Sequence, residues 1–147
     1  MEFAESIEVE NQHSSLALDP DLCRRVLTGV IRGEGVRLEN VTLILSDHAT
    51  VHDLNRTYLE HDYETDVLAF VYGEGPAIDG EIYVDLDTAA ERHAEFGASF
   101  EHEALRYAVH GLLHLIGYSD KDEEGKLRMH ALEDQYLRAT DEGMADL

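Results

Sequence analysis

HGLLHLIGYSD, residues 110–120, sets two histidines four positions apart in a run that is otherwise almost wholly apolar. Residues at that spacing sit one turn apart on the same face of a helix. Two imidazoles so placed can bind one ion at about 2.0–2.1 Å each. Zinc peptidases use the same spacing with a glutamate beside the first histidine as general base. Here that neighbour is Gly111, which removes the base and is expected to open space beside the ion. The structural alternative is a pair of core histidines satisfied by backbone groups or water. On spacing and context the two readings stand level. If an ion is held, a third donor is available just beyond the helix. Gly117 lets the chain turn, Tyr118 packs back, and Asp120 comes within reach. Asp120 has a competing role as N-cap of the helix that starts near Asp122.

The chain carries its own control. His48 and His52 are also four apart, but in the polar setting HATVHD, which assigns them to the surface with no metal role. His130, deep in the last helix, is a distant alternative ligand and is assigned to solvent.

Periodicity outlines the remaining elements. SIEVE (6–10) and VTLILS (41–46) are strands, as are TDVLAFV (65–71) and GEIYV (80–84). A helix capped by Asp19, with Pro20 at its first position, runs to about Ile31 and is closed by Gly33 and Gly35. Ser46 and Asp47 cap HATVHDLNRTYL (48–59). Further helices span about Asp87–Phe96, Ser99–Ile116 and Asp122–Leu137, and Leu105, Val109, Leu112 and Ile116 line the core face of the second. Four strands with interleaved helices define an α+β domain, a mixed sheet packed with about five helices. Residues 1–147 suffice for one such domain, and no linker or repeat divides them.

Composition narrows the function. Thirty-two acidic against 11 basic residues leave a net charge of −21. That argues against tight non-specific duplex binding, which needs many basic contacts to phosphate. Acidic, lysine-poor surfaces are also expected of proteins that work in concentrated salt. Cys23 is the single cysteine, so no intrachain disulfide forms, in keeping with a reducing cytoplasm. The start MEFAESIEVE is not a signal peptide, and no apolar run of about 18 residues is present to span a membrane.

HGLLHLIGYSD closely resembles the hallmark of the YbeY family of bacterial endoribonucleases and ribosomal RNA maturation factors, His-Gly-x-x-His-Leu-x-Gly-Tyr-Asp-His. LNRTYLEHDYETDVLAF (54–70) and GEIYVDLDTAAERHAEFG (80–97) resemble two further family segments, and the likeness extends from about Val41 to Leu137. The resemblance implies one zinc-like ion held by His110, His114 and Asp120. It also implies metal-dependent hydrolysis of single-stranded RNA, in maturation of the small-subunit ribosomal RNA 3′ end and ribosome quality control. Ribosomal particles are the implied partners and the cytoplasm the implied location. Zinc suits the donors, as do nickel, cobalt or manganese.

Three positions depart from the family pattern. Asp120 stands where the third ligand is usually histidine, Leu59 where an arginine expected to meet RNA phosphate follows Tyr58, and Glu81 where the family has aspartate. Arg56 or His61 is a substitute cation. Glu81 and Asp66 are candidate proton carriers, although no base is assigned. Tyr58, Tyr63, Phe70, Tyr72 and Tyr118 are available to stack on unpaired bases. Two other readings are a metal-dependent hydrolase of a non-RNA substrate and a non-catalytic ribosome-assembly factor with a structural metal.

Overall fold

A computed structural model describes residues 7–59, 66–73 and 75–145. Ser6, His61, Tyr63 and Thr65 fall outside them, as does the side chain of Leu59. The strands are β1 (Ile7–Asn11), β2 (Leu38–Ser46), β3 (Val67–Val71) and β4 (Ile78–Asp85). The helices are α1 (Pro20–Glu34), α2 (His48–Leu59), α3 (Leu86–Arg92), α4 (Phe100–Ile116) and α5 (Glu123–Ala145), with a 3-10 turn at His93–Phe96. The four strands lie in the order β1-β2-β4-β3, the first three parallel and β3 antiparallel to β4. This is the mixed α+β sheet expected from the sequence.

Strand alternation sets the layers. Val41, Leu43 and Leu45 of β2 pair in register with Gly80, Ile82 and Val84 of β4. With Val67 of β3, these strands' apolar side chains join one core with α1 and α4. Ile44 and Leu68 are buried on the opposite face, where Tyr58 of α2 meets Phe70 edge-on. Burial on both faces explains why Leu43, Ile44 and Leu45 are three apolar residues in a row rather than alternating.

Caps mark the helix ends. Asp19 Oδ1 accepts from the Asp21 N–H, and Asp47 Oδ1 from the Thr50 N–H. Ser99 Oγ accepts from the His102 N–H. Helix α1 outruns its expected end. Gly35, left-handed at φ +66°, is its true stop. Gly33 lies inside the helix, where a Cβ would fall 2.5 Å from the Tyr136 ring; it admits α5 rather than ending α1. The expected helix 87–96 divides into α3 and the 3-10 turn, and α5 extends beyond Leu137 to Ala145.

Cys23 is fully buried on the core face of α1. Burial first, and the Asp19 carboxylate second, push its thiol up to about 12. Little thiolate forms at mildly alkaline pH. A thiol reagent is therefore expected to leave the native protein unlabelled and to react in step with denaturant unfolding. Prompt labelling without denaturant would contradict this packing.

Candidate metal centre

The site is built on α4, the helix most firmly held by the core. Leu112 and Leu113 are both fully buried, and each such side chain contributes roughly 1.5–3 kcal/mol. Their anchoring fixes the azimuth of His110 and His114, which project on the side away from Leu112 and are only partly buried. Gly117, at φ +124°, turns the chain, and its N–H and that of Tyr118 close on the Leu113 carbonyl. That turn brings Asp120 back over the histidines. Donor atoms of His110, His114 and Asp120 all lie within 4.8 Å of one another.

His110 Nε2 is 3.0 Å from His114 Nε2. Asp120 Oδ2 lies 3.2 Å from the first and 3.6 Å from the second. Donors on a tetrahedral ion with bonds near 2.05 Å stand about 3.3 Å apart, so the triangle has the size of an ion's ligand set. The tautomers make the point chemically. His110 Nδ1 faces Glu133 Oε2 at 2.7 Å, and His114 Nδ1 faces the Tyr118 carbonyl at 3.1 Å. Both partners accept, so both Nδ1 atoms carry the proton and the two Nε2 lone pairs point at each other and at a carboxylate oxygen. Three converging lone pairs require a cation among them, either a proton or a metal ion. The competing capping role falls to a neighbour: Asp122 Oδ1, not Asp120, accepts the Gly125 N–H of α5, at 2.7 Å.

Two supports escaped the sequence reading. Glu133 is 5% exposed and braces His110 while accepting from Arg106 Nη1 at 3.1 Å. Its signal was present: Met129, Glu133 and Leu137 recur every fourth residue, and all three are buried. A carboxylate set in an apolar stripe needs a partner. Glu34, at the end of α1, receives the Tyr118 hydroxyl at 2.5 Å and the Tyr136 hydroxyl as well. It thereby pins the turn that carries Asp120 to α1 and α5. Burial opposes a charge on His110, but the Glu133 hydrogen bond and the Glu133, Asp120 and Asp66 carboxylates together hold its pKa above the ordinary imidazole value.

A cleft of about 550 Å³ opens from His110 and Asp120 along α4 toward α3. Asp66 lies on its wall, and its backbone carbonyl receives the Asp85 N–H at the end of β4. Burial raises the Asp66 carboxyl above the usual range, against the pull of His110. The unfolded chain releases this proton near the ordinary value of about 3.9, whereas the folded chain holds it longer. The associated stability is therefore full at low pH and is lost as pH rises through the folded value. Asp66→Asn is expected to melt above the parent protein at neutral pH, with the gap closing as pH falls. A variant that melts lower at neutral pH would make Asp66 chiefly a brace of the strand end.

Other expectations are corrected. Gly111 does not open space beside the donors. A Cβ there would meet Ile82 Cγ2 at 2.5 Å and Val67 Cγ2 at 3.1 Å, so this glycine lets α4 settle on the sheet. Glu81 points to the far face of β4, bound by the Tyr72 hydroxyl at 2.5 Å, and is no candidate for proton transfer here. Arg56 lies on α2 paired with Asp53 at 2.5 Å, away from the cleft lining. Tyr58, Phe70 and Tyr83 form an edge-to-face cluster on that same far side. His48 is not a plain surface residue: its Nδ1 is 2.6 Å from the fully buried Asp85. His130 is largely exposed, as expected, 3.6 Å from Asp134.

The α+β domain thus gathers two imidazoles and a carboxylate at one end of a cleft lined largely by ionisable side chains, an arrangement in keeping with a hydrolase. The chain belongs to the endoribonuclease YbeY family, whose model matches residues 7–141. It is 52% identical, over 94% of both chains, to the endoribonuclease YbeY of Salinibacter ruber. To that of Chlorobaculum tepidum it is 39% identical, over 82% of this chain and 88% of the relative. A solution structure of a Thermotoga maritima protein shares the fold, with a TM-score of 0.64 at 24% identity over 95% of this chain and 92% of that one. No helix among the described residues is long and apolar enough to cross a membrane.

Proposed function

We propose that this protein is a metal-dependent endoribonuclease that cuts single-stranded RNA during ribosomal RNA maturation, at the 3′ end of the small-subunit RNA, and in ribosome quality control, with ribosomal particles as partners in the cytoplasm. His110, His114 and Asp120 would hold one divalent ion, zinc by donor type. The observation that carries this reading is the convergence of two Nε2 atoms and one carboxylate oxygen within 3.6 Å. A bound ion would supply an acidified water and a polarised phosphoryl oxygen.

The chain's own residues do the rest. Glu133 and the Tyr118 carbonyl hold both imidazoles in the tautomer that presents Nε2. Glu34, through Tyr118, keeps Asp120 in place. Asp66, on the cleft wall beside His110, is the carboxylate placed to take up or deliver a proton. With no glutamate after His110, peptidase chemistry lacks its base.

Zinc-loaded and chelator-treated protein, each incubated with single-stranded and with annealed ribosomal RNA fragments, tests the reading. Cleavage is expected only with the ion and only of the single strand, and restored zinc should restore it. Equal cleavage by the chelated sample would remove the metal from the reaction. Intact RNA alongside retained binding to ribosomal particles would favour an assembly factor with a structural ion.

A further inference from the structure

Among the described residues, Tyr58, Phe70, Tyr72 and Tyr118 do not line the cleft, but Phe96 does. It is 59% exposed, so its ring is open to a planar partner. Its ring lies 5.5 Å from the guanidinium carbon of Arg92. The basic side chains of the cleft are not equivalent. Arg106 is spent on Glu133 at 3.1 Å and Asp134 at 2.6 Å. Arg92 makes a half-exposed ion pair with Glu95, through Nε alone, at 3.2 Å. Exposed pairs of this kind are weak and readily exchanged for a stronger anion, which leaves the outer edge of the guanidinium to a phosphate. The platform is also held in shape. Gly97, left-handed at φ +65°, closes the 3-10 turn, and His93 Nδ1 is 2.8 Å from the Ala98 carbonyl across it.

We infer that Arg92 and Phe96 form a nucleotide subsite at the far end of the cleft from His110 and Asp120, with Arg92 holding a backbone phosphate and Phe96 stacking an unpaired base. The inference rests on the RNA reading above. A cleft of about 550 Å³ is in the range that takes a small ligand, and a strand with one phosphate at the histidines would run along it toward α3. Stacking on an exposed ring requires an unpaired base, so the subsite selects single strands without reading sequence. One arginine and one aromatic ring also suffice to bind locally in a chain whose net charge of −21 repels nucleic acid at long range.

The test uses zinc-loaded full-length protein and a short fluorescent 2′-O-methyl phosphorothioate RNA, which resists cleavage, with anisotropy as the readout. Arg92→Gln is expected to weaken binding about tenfold and to reduce the slope of log Kd against log salt by about 0.7. Phe96→Ala is expected to weaken single-strand binding by roughly five- to a hundredfold without changing that slope, and Phe96→Tyr should keep the parent affinity. Both positions are solvent-exposed, and circular dichroism checks that the variants stay folded. If the parent protein binds and both Arg92→Gln and Phe96→Ala bind equally well, the subsite is wrong and the RNA reading stands. If Phe96→Ala loses annealed duplex as strongly as single strand, stacking is not its role. If the parent protein binds no RNA in zinc, the RNA reading itself fails and takes the subsite with it.

Discussion

His114→Ala is expected to lose zinc binding and zinc-dependent RNA cleavage while keeping its fold. Removing a supporting partner from a metal ligand already costs about 10–100-fold in affinity or activity, so removing the ligand itself should cost at least about a hundredfold. The metal-free variant should be about as stable as the metal-free parent, because the ring is only partly buried and a hydrogen bond at such a site contributes little net stability. Melting curves separate the two effects. Zinc at a hundred times its Kd stabilises the native state by about 2.7 kcal/mol, roughly 10 °C for a domain of this size. That rise is expected for the parent and not for His114→Ala. A variant that melts higher with zinc and cleaves at the parental rate would place the ion elsewhere.

Glu133→Gln should have nearly as large an effect from outside the donor set. Glutamine preserves shape but presents one oxygen and one NH2 where the carboxylate presented two oxygens. If its oxygen stays with Arg106, its NH2 faces His110 Nδ1, which must then accept. The proton moves to Nε2, the atom meant for the ion, and zinc affinity should fall about 10–100-fold. The fold should hold, because both glutamine groups keep partners and Arg106 keeps its contact with Asp134 at 2.6 Å. Titration supplies an independent readout. Desolvation alone would lower the imidazole of His110, and Glu133 is the first of the groups that outweigh it. In metal-free protein that raised value gives stability that is full below the ordinary imidazole pKa and is lost as pH rises through the folded one. Glu133→Gln should shift this loss to lower pH, as followed by nitrogen NMR of the ring. An unchanged tautomer and unchanged zinc affinity would reduce Glu133 to a partner of Arg106.

Local chemistry made much of this protein legible. Val41 to Ser46 was visible as a strand, and Asp47 as a cap because only a few side chains accept from free helix N–H groups. Gly33 misled because its reason for being glycine lies 103 residues away, in the ring of Tyr136. Gly111 misled in the same way: its neighbours are Ile82 and Val67 across the helix–sheet interface. Glu81 and Arg56 were plausible from their charge alone, and the pleat of β4 and the placement of α2 turn both from the cleft.

The sequence by itself determined the helix that carries His110 and His114 and the turn at Gly117, because spacing along one helix and one tight turn are local geometry, while His110, His114 and Asp120 as a set came from the family resemblance. Only the tertiary structure decided that Glu133 and the Tyr118 carbonyl set the tautomers, that Asp66 rather than Glu81 lines the cleft of His110 and Asp120, and that Phe96 and Arg92 share that cleft. Those relations join α5, β3 and α3 to α4. They arise from how apolar faces pack, and side-chain period says which face is buried but not against which partner.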